Sequence, residues 1–223
     1  MKAILSWSSG KDSAWALHVL RQDPAIEVVG LLTTINEAFD RVAMHGVRRV
    51  LVEAQARAAG LPLHVVTIPF PCPNETYEAR MEAFVRSTKD MGVDAIAFGD
   101  LFLEDIRSYR EARLADSGLK PLFPLWGRST TELAQEMIAG GLRARLACVD
   151  PSQIDASFAG RDFDALLLAE LSPIIDPCGE RGEFHTFAYD GPMFSSPVTV
   201  FAGEVVERDG FVFADMLPSL PRA

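Results

Sequence analysis

The chain is short of cysteine, of basic residues and of long apolar runs, and each shortage removes a class of function. Only Cys72, Cys148 and Cys178 occur in 223 residues. They are too few and too scattered for a disulfide framework. No C-x-x-C pair exists, which argues against a zinc ribbon or an iron–sulfur centre. Lys and Arg total 21 against 31 Asp and Glu, a net charge of −10. An extensive nucleic-acid interface wants a basic face, so this balance argues against one while leaving room for a local basic pocket. No apolar run reaches the length of a membrane span. The N-terminus has one lysine but neither a long apolar region nor a cleavage site. No secretory signal is therefore expected, and a cytoplasmic location is the default.

What is present is concentrated at the start. Met1–Trp7 reads as a short apolar strand, Ser8–Ser13 as a small-residue turn, and the residues from Ala14 to Leu20 as a helix. Strand, small-residue turn and helix form a phosphate cradle. Small residues let the backbone approach the ligand, and the unpaired first N–H groups of the helix and its dipole favour negative charge. Lys11 adds a full positive charge. The nucleoside-triphosphatase P-loop does not fit, because Leu5 and Asp12 occupy its glycine and Ser/Thr positions. The dinucleotide fingerprint fails because Gly10 stands alone. The competing reading is a solvated turn capping a helix, with Asp12 in its first turn.

The first half then alternates strand and helix patterns: strands at 26–33, 63–68 and 94–98, helices carrying Leu51 and Ala58, then Tyr77 and Val85, then 104–116. Such alternation predicts a doubly wound parallel sheet with its ligand at the carboxyl ends of the strands where their order reverses. That rule sets Ser8–Ser13 beside Gly99–Asp100. The second half differs. Pro121, Pro124 and Gly127 mark a junction, Ser129 opens a capping-box helix, 142–149 alternates as a strand, and Asp162 is a candidate cap for a helix to Leu171. Asp209–Gly210 sits between two strand patterns as a hairpin turn. The expected division is residues 1–125 and 126–223, the second a smaller α/β domain, with a frayed tail over 217–223.

A second dense cluster spans 176–186, D-P-C-G-E-R-G-E-F-H-T. Two glycines break regular structure while Glu180, Glu183 and His185 fall within six residues. Such a loop can hold Mg²⁺, orient an amine or accept its proton. Taken alone, the cluster is better explained as a solvated polar turn between a helix and a strand.

Taken together, the two clusters say more. Ser8–Ser13 resembles the S-G-G-K-D-S motif of the PP-loop, or N-type, ATP pyrophosphatases, with Ser9 in place of the first glycine. The late E-x-G-E-F-H-T segment at 180–186, with Met44–His45, Gly99–Asp100, Tyr109–Arg110–Glu111 and residues 121–126 between, resembles the diphthine–ammonia ligase family over almost the whole chain. That resemblance implies a Rossmann-like (HUP-type) ATP-binding domain followed by a smaller α/β domain, with the active site between them. It implies an enzyme that moves AMP from ATP onto a carboxylate and lets ammonium displace it, as the family does in completing diphthamide on translation elongation factor 2. It implies ATP and Mg²⁺ as cofactors, the Mg²⁺ ligands being unassigned. It implies ammonium and a carboxylate-bearing acceptor, a protein side chain or a small metabolite, as partners, and a homodimer as one arrangement. Nucleotide contacts fall to Ser8, Ser9, Gly10, Lys11, Asp12, Ser13, His45, Gly99 and Asp100. Catalysis falls to Lys11, Glu180, Glu183 and His185, and acceptor binding to Tyr109, Arg110 and Thr186. The rival readings are a PP-loop enzyme that modifies tRNA, and a nucleotide-binding protein without turnover.

Overall fold

The computed structural model describes residues 1–219. Its elements, in order, are β1 (Lys2–Ser6), α1 (Lys11–Gln22), β2 (Glu27–Asn36), β3 (Arg41–Val42), α2 (Arg49–Ala59), β4 (Leu63–Ile68), α3 (Asn74–Ser87), β5 (Ala95–Ala97), α4 (Glu104–Leu114) and β6 (Lys120–Leu122). Then follow α5 (Thr130–Ala139), β7 (Arg143–Val149), a 3₁₀ turn, α6 (Ala165–Glu170), β8 (Phe184–Asp190), β9 (Val200–Arg208) and β10 (Phe211–Pro218).

β1, β2, β4, β5 and β6 form a parallel sheet, and β3 adds two antiparallel residues to the end of β2. Leu31 and Leu32 pair with β1 and with β4 alike, so β4 lies on the far side of β2 from β1. The parallel order is thus β4, β2, β1, β5, β6, and it reverses direction between β1 and β5. Ala3, Ile4 and Leu5 are wholly buried, as a central strand covered on both faces requires. Residues of α1 and α2 pack on one face, and residues of α3 and α4 on the other. The doubly wound parallel sheet is as the alternating pattern predicts.

The second sheet is antiparallel, ordered β8, β7, β10, β9. Its inward residues, among them Leu146, Phe187 and Val212, share one continuous core with α1 and α2. β9 and β10 form the expected hairpin, with Asp209 and Gly210 both at positive φ in its two-residue turn. Two local expectations shift. Asp164, rather than Asp162, caps α6, because Asp162 is engaged by Arg145. The tail expected to fray is ordered at Leu217 and Pro218, which pair with Phe201 and Val200; positions 220–223 lie outside the described residues. Among the described residues no helix is long and apolar enough to cross a membrane.

Candidate active site

β1 delivers the chain to Ser8–Ser13 at the point where the strand order reverses, and β5 delivers Gly99 and Asp100 beside it. The approach is close. A Cβ on Gly99 would stand 3.1 Å from the backbone of Asp12 and Ser13. A Cβ on Gly10 would stand 3.1 Å from the His45 ring and 3.2 Å from the Thr186 carbonyl. Ser9 has φ of 72°, the left-handed region that glycine occupies without penalty. The glycine of the usual motif is therefore a backbone requirement, and serine meets it under strain.

The loop is closed from above by β8. Thr186 Oγ1 accepts the Lys11 backbone N–H at 3.0 Å, and the Ala188 N–H donates to the Ser9 carbonyl at 2.9 Å. Gln55 ties both sides. Its amide donates to the carbonyls of Ser9 (2.9 Å) and Ala188 (2.6 Å) and its Oε1 accepts the Trp7 indole N–H at 2.8 Å. Gln55 went unnoticed in the sequence. Its signal was a polar side chain among Leu51, Val52, Ala56 and Ala59 on the buried face of α2.

Lys11 is only 2% exposed. Its Nζ donates to Asp12 Oδ2 at 2.9 Å and to the Cys178 carbonyl, and lies over the rings of Phe163 and Phe184. Burial alone would lower its pKa, yet Asp12, Cys178 and Glu180 outweigh that and raise it, so Lys11 stays charged.

A cleft of about 530 Å³ opens over this assembly, within the usual range for small-molecule sites. Ser8, Lys11, Asp12, Ser13, His45, Gly99, Asp100, Arg110, Glu180, His185 and Thr186 all line it. Thr33, Thr34, Met44, Tyr77 and Met81 line it too. Glu180 Oε1 accepts the Leu101 N–H at 2.8 Å, and burial pushes its carboxyl up to about 7, aided by Asp12 and Asp100. Arg110 grips Asp100 through Nε (2.5 Å) and a terminal nitrogen (3.1 Å), and lies over the Phe98 ring. His185 stacks on His45 at 4.6 Å. Burial, and then the charge of Lys11, push His185 down to about 4. Burial and His185 hold His45 well below its usual range. Both imidazoles are therefore neutral at neutral pH, hydrogen-bonding groups rather than cations or effective bases.

Ser9 and Gly10 belong to the loop but do not line the cleft, and two further expected site residues lie elsewhere. Glu183 is 1% exposed, and its oxygens accept the N–H groups of Asp176 (3.0 Å) and Arg181 (2.9 Å). It braces the loop that presents Glu180 instead of facing the cleft. Tyr109 is 40% exposed on the outside of α4, under Arg113. Ile106 and Arg110, one turn apart, make the cleft-facing side of that helix. Three buried polar atoms in this region lack partners: Ser9 Oγ, Asp12 Oδ1 and Thr33 Oγ1. Among the described residues no cluster of three or more His, Cys, Asp or Glu is arranged for a metal.

Residues 1–121 match the model of the diphthamide synthase N-terminal domain, and residues 129–213 that of the diphthamide synthase C-terminal domain. The chain is similar to the diphthine–ammonia ligase of Danio rerio, 28% identical over 237 residues that cover 96% of this chain and 92% of that protein. It is equally similar to the diphthine–ammonia ligases of Bos taurus and Homo sapiens, 28% identical over 242 residues, 96% of this chain and 88% of each.

Proposed function

Because the chain belongs to the diphthamide synthase family, we propose that it is an ATP-dependent ligase that transfers AMP to an acceptor carboxylate and amidates it with ammonium. The observation that carries this reading is the single cleft on which Ser8–Ser13, Asp100 and Glu180 converge, brought together by β8 lying over the N-terminal loop. Residues 1–125 hold the nucleotide in this reading, and residues 126–223 supply the groups that close over it.

A carboxylate cannot expel oxide. Attack of its oxygen on the α-phosphorus of ATP breaks the α–β bridge, releases pyrophosphate and leaves an acyl adenylate. Ammonia then adds to the acyl carbon and AMP departs. The loop from Ser8 to Ser13 binds the phosphates at the α1 N-terminus. Lys11, charged and buried, stabilises the negative charge that builds on the departing pyrophosphate. Its Nζ already has protein partners, so it acts chiefly through its field. Glu180, titrating near neutrality, accepts a proton from ammonium and so frees the nitrogen lone pair. Arg110, with Asp100, orients the acceptor, and Thr186 positions the loop.

Mg²⁺ commonly reaches such sites with the triphosphate and takes one or two carboxylates. The unpartnered Asp12 Oδ1 fits that role. When bound, the ion would neutralise charge on the phosphate oxygens.

The acceptor of the relatives is diphthine by name, so a diphthine-bearing protein is the first acceptor to try, with carboxylate metabolites beside it. Acceptor-dependent formation of AMP and pyrophosphate in the presence of ammonium is the expected result. Formation of ADP, or nucleotide binding without turnover on every acceptor, would overturn the ligase reading.

A further inference from the structure

Arg41 and Arg48 bracket the loop that carries His45 into the cleft, and both reach one carboxylate in the last strand. Arg41 Nη1 donates to Asp215 Oδ1 at 2.8 Å and to the Gly46 carbonyl at 2.7 Å. Arg48 donates through a terminal nitrogen to Oδ2 at 2.6 Å, and its Nε lies 3.1 and 3.2 Å from the two oxygens. Asp215 thus clasps both ends of a loop that lies 167 to 174 positions away in sequence. Burial works to raise the Asp215 pKa, but the hydrogen bonds from Arg48 and Arg41 outweigh it and lower the value, so the carboxylate is charged.

β10 is shaped for this contact. Its register against β9 slips between Ala214 and Met216, at Asp215. An irregularity of this kind re-aims a side chain. Gly203 of β9 allows the close approach, since a Cβ there would stand 3.1 Å from Asp215 Cβ. The loop backbone rests on the same strand: a Cβ on Gly46 would stand 2.8 Å from the Phe213 ring.

The loop also meets the phosphate-binding turn. A Cβ on Gly10 would come within 3.1 Å of His45 Cε1, and His45 Nδ1 is 3.3 Å from the Thr186 carbonyl. That carbonyl can only accept, so Nδ1 carries the hydrogen and Nε2 is the acceptor of the neutral ring. Met44 and Gly46, on either side of His45, have φ of 65° and 66°. At methionine this conformation is costly and persists only when surrounding contacts impose it. A second pocket, of about 240 Å³, has Arg41, Arg48 and Asp215 in its wall, and His45 is common to it and to the cleft. A carboxylate between two guanidiniums adds little net stability once desolvation is counted. What it adds is geometry, because a two-point ion pair fixes direction as well as distance.

We propose that Asp215 is a positioning residue: by holding Arg41 and Arg48 it fixes the loop between them and sets the His45 ring against Gly10 and Thr186, so that the β9–β10 hairpin controls how the phosphate loop holds nucleotide. This rests on the ATP-binding reading of the cleft.

The test is Asp215→Asn, which keeps the shape and removes the charge. In the ligand-free protein the His45 Cε1–H resonance, assigned by its absence in His45→Ala, should shift, and those of His18 and His64 should not. Asp162→Asn, which breaks the Arg145 ion pair in the same sheet, is the control and should leave the His45 resonance in place however far it lowers Tm. Calorimetric ATP affinity should fall about 3- to 10-fold in Asp215→Asn. Added to His45→Ala, the same substitution should cost less than about 2-fold more, because Asp215 acts through the missing ring. Should Asp215→Asn fail to fold, Arg48→Gln leaves the Arg41 contact and should move the same resonance. An unmoved His45 resonance in the folded variants would overturn the proposal, and so would equal losses of ATP affinity with and without His45. A wild type that binds no ATP would overturn the reading of the cleft and the nucleotide half of the proposal; the His45 resonance would still decide whether Asp215 sets the ring.

Discussion

The backbone N–H of Lys11 donates to the side chain of Thr186 at 3.0 Å, across 175 positions of sequence. The first helical N–H of the phosphate loop is thus satisfied by the second sheet, and the loop is held from above before any ligand arrives. The same closure buries Lys11 against Asp12 and the Cys178 carbonyl. The site is pre-organised, and its residues carry stability as well as function.

Lys11→Ala should accordingly destabilise the fold. It leaves the Asp12 carboxylate and the Cys178 carbonyl without their cation, at a cost of about 3–5 kcal/mol for a buried pair broken on one side. Urea unfolding monitored by far-UV circular dichroism measures this directly. A variant as stable as wild type would show that the buried contacts of Lys11 contribute nothing, and any loss of turnover would then be purely chemical.

Ser9→Gly should raise stability by about 1 kcal/mol. It relieves a non-glycine residue at φ of 72° and removes a hydroxyl without a partner, set against the greater freedom glycine has when unfolded. A thermal midpoint equal to or below that of wild type would refute the strain.

Glu180→Gln tests the base. With Glu180 titrating near 7, kcat should climb as pH rises through that value, and the amide should remove the climb and about 100- to 10,000-fold of kcat. The linkage has a definite sign. Because the folded pKa lies above the ordinary 4.5, the folded protein holds a proton that the unfolded chain has released between about 4.5 and 7. This contribution to stability is complete below 4.5 and disappears as pH rises through 7. The stability of Glu180→Gln relative to wild type should therefore increase from pH 4.5 to pH 8; a flat difference would mean an ordinary, solvated Glu180.

Glu183→Gln should weaken the 176–183 loop, because both carboxylate oxygens accept backbone N–H groups and the amide places a donor against one of them. A loss of about 1–3 kcal/mol is expected, together with faster hydrogen exchange at Asp176 and Arg181. Normal protection at those amides with lost turnover would return Glu183 to a direct catalytic role.

Several features were legible in the chain because they depend on neighbours a few positions away. The strand, small-residue turn and helix at residues 2–22 follow from an apolar run, small residues and helical spacing. The alternation of patterns through residue 122 is enough to require a parallel sheet, and the sheet's switch point then sets Gly99 beside Asp12. The Asp209–Gly210 hairpin follows from two residues tolerant of positive φ. α4 was less readable. Its sequence is polar nearly all round, so nothing in its periodicity separated Tyr109 from Arg110, whose side chains point about 100° apart.

The amino-acid order thus determined the elements, the doubly wound sheet and the location of the phosphate loop, since local sterics and hydrophobic spacing act over a few residues. Only the tertiary structure decided what each polar group does there. Lys11 is buried because β8 and Cys178 lie over it, Glu183 braces a loop because two amides face it, and Thr33 is left with a free hydroxyl because nothing opposite completes it. Hydrogen-bond satisfaction and burial depend on the partner across the gap, and here that partner is often more than a hundred residues away.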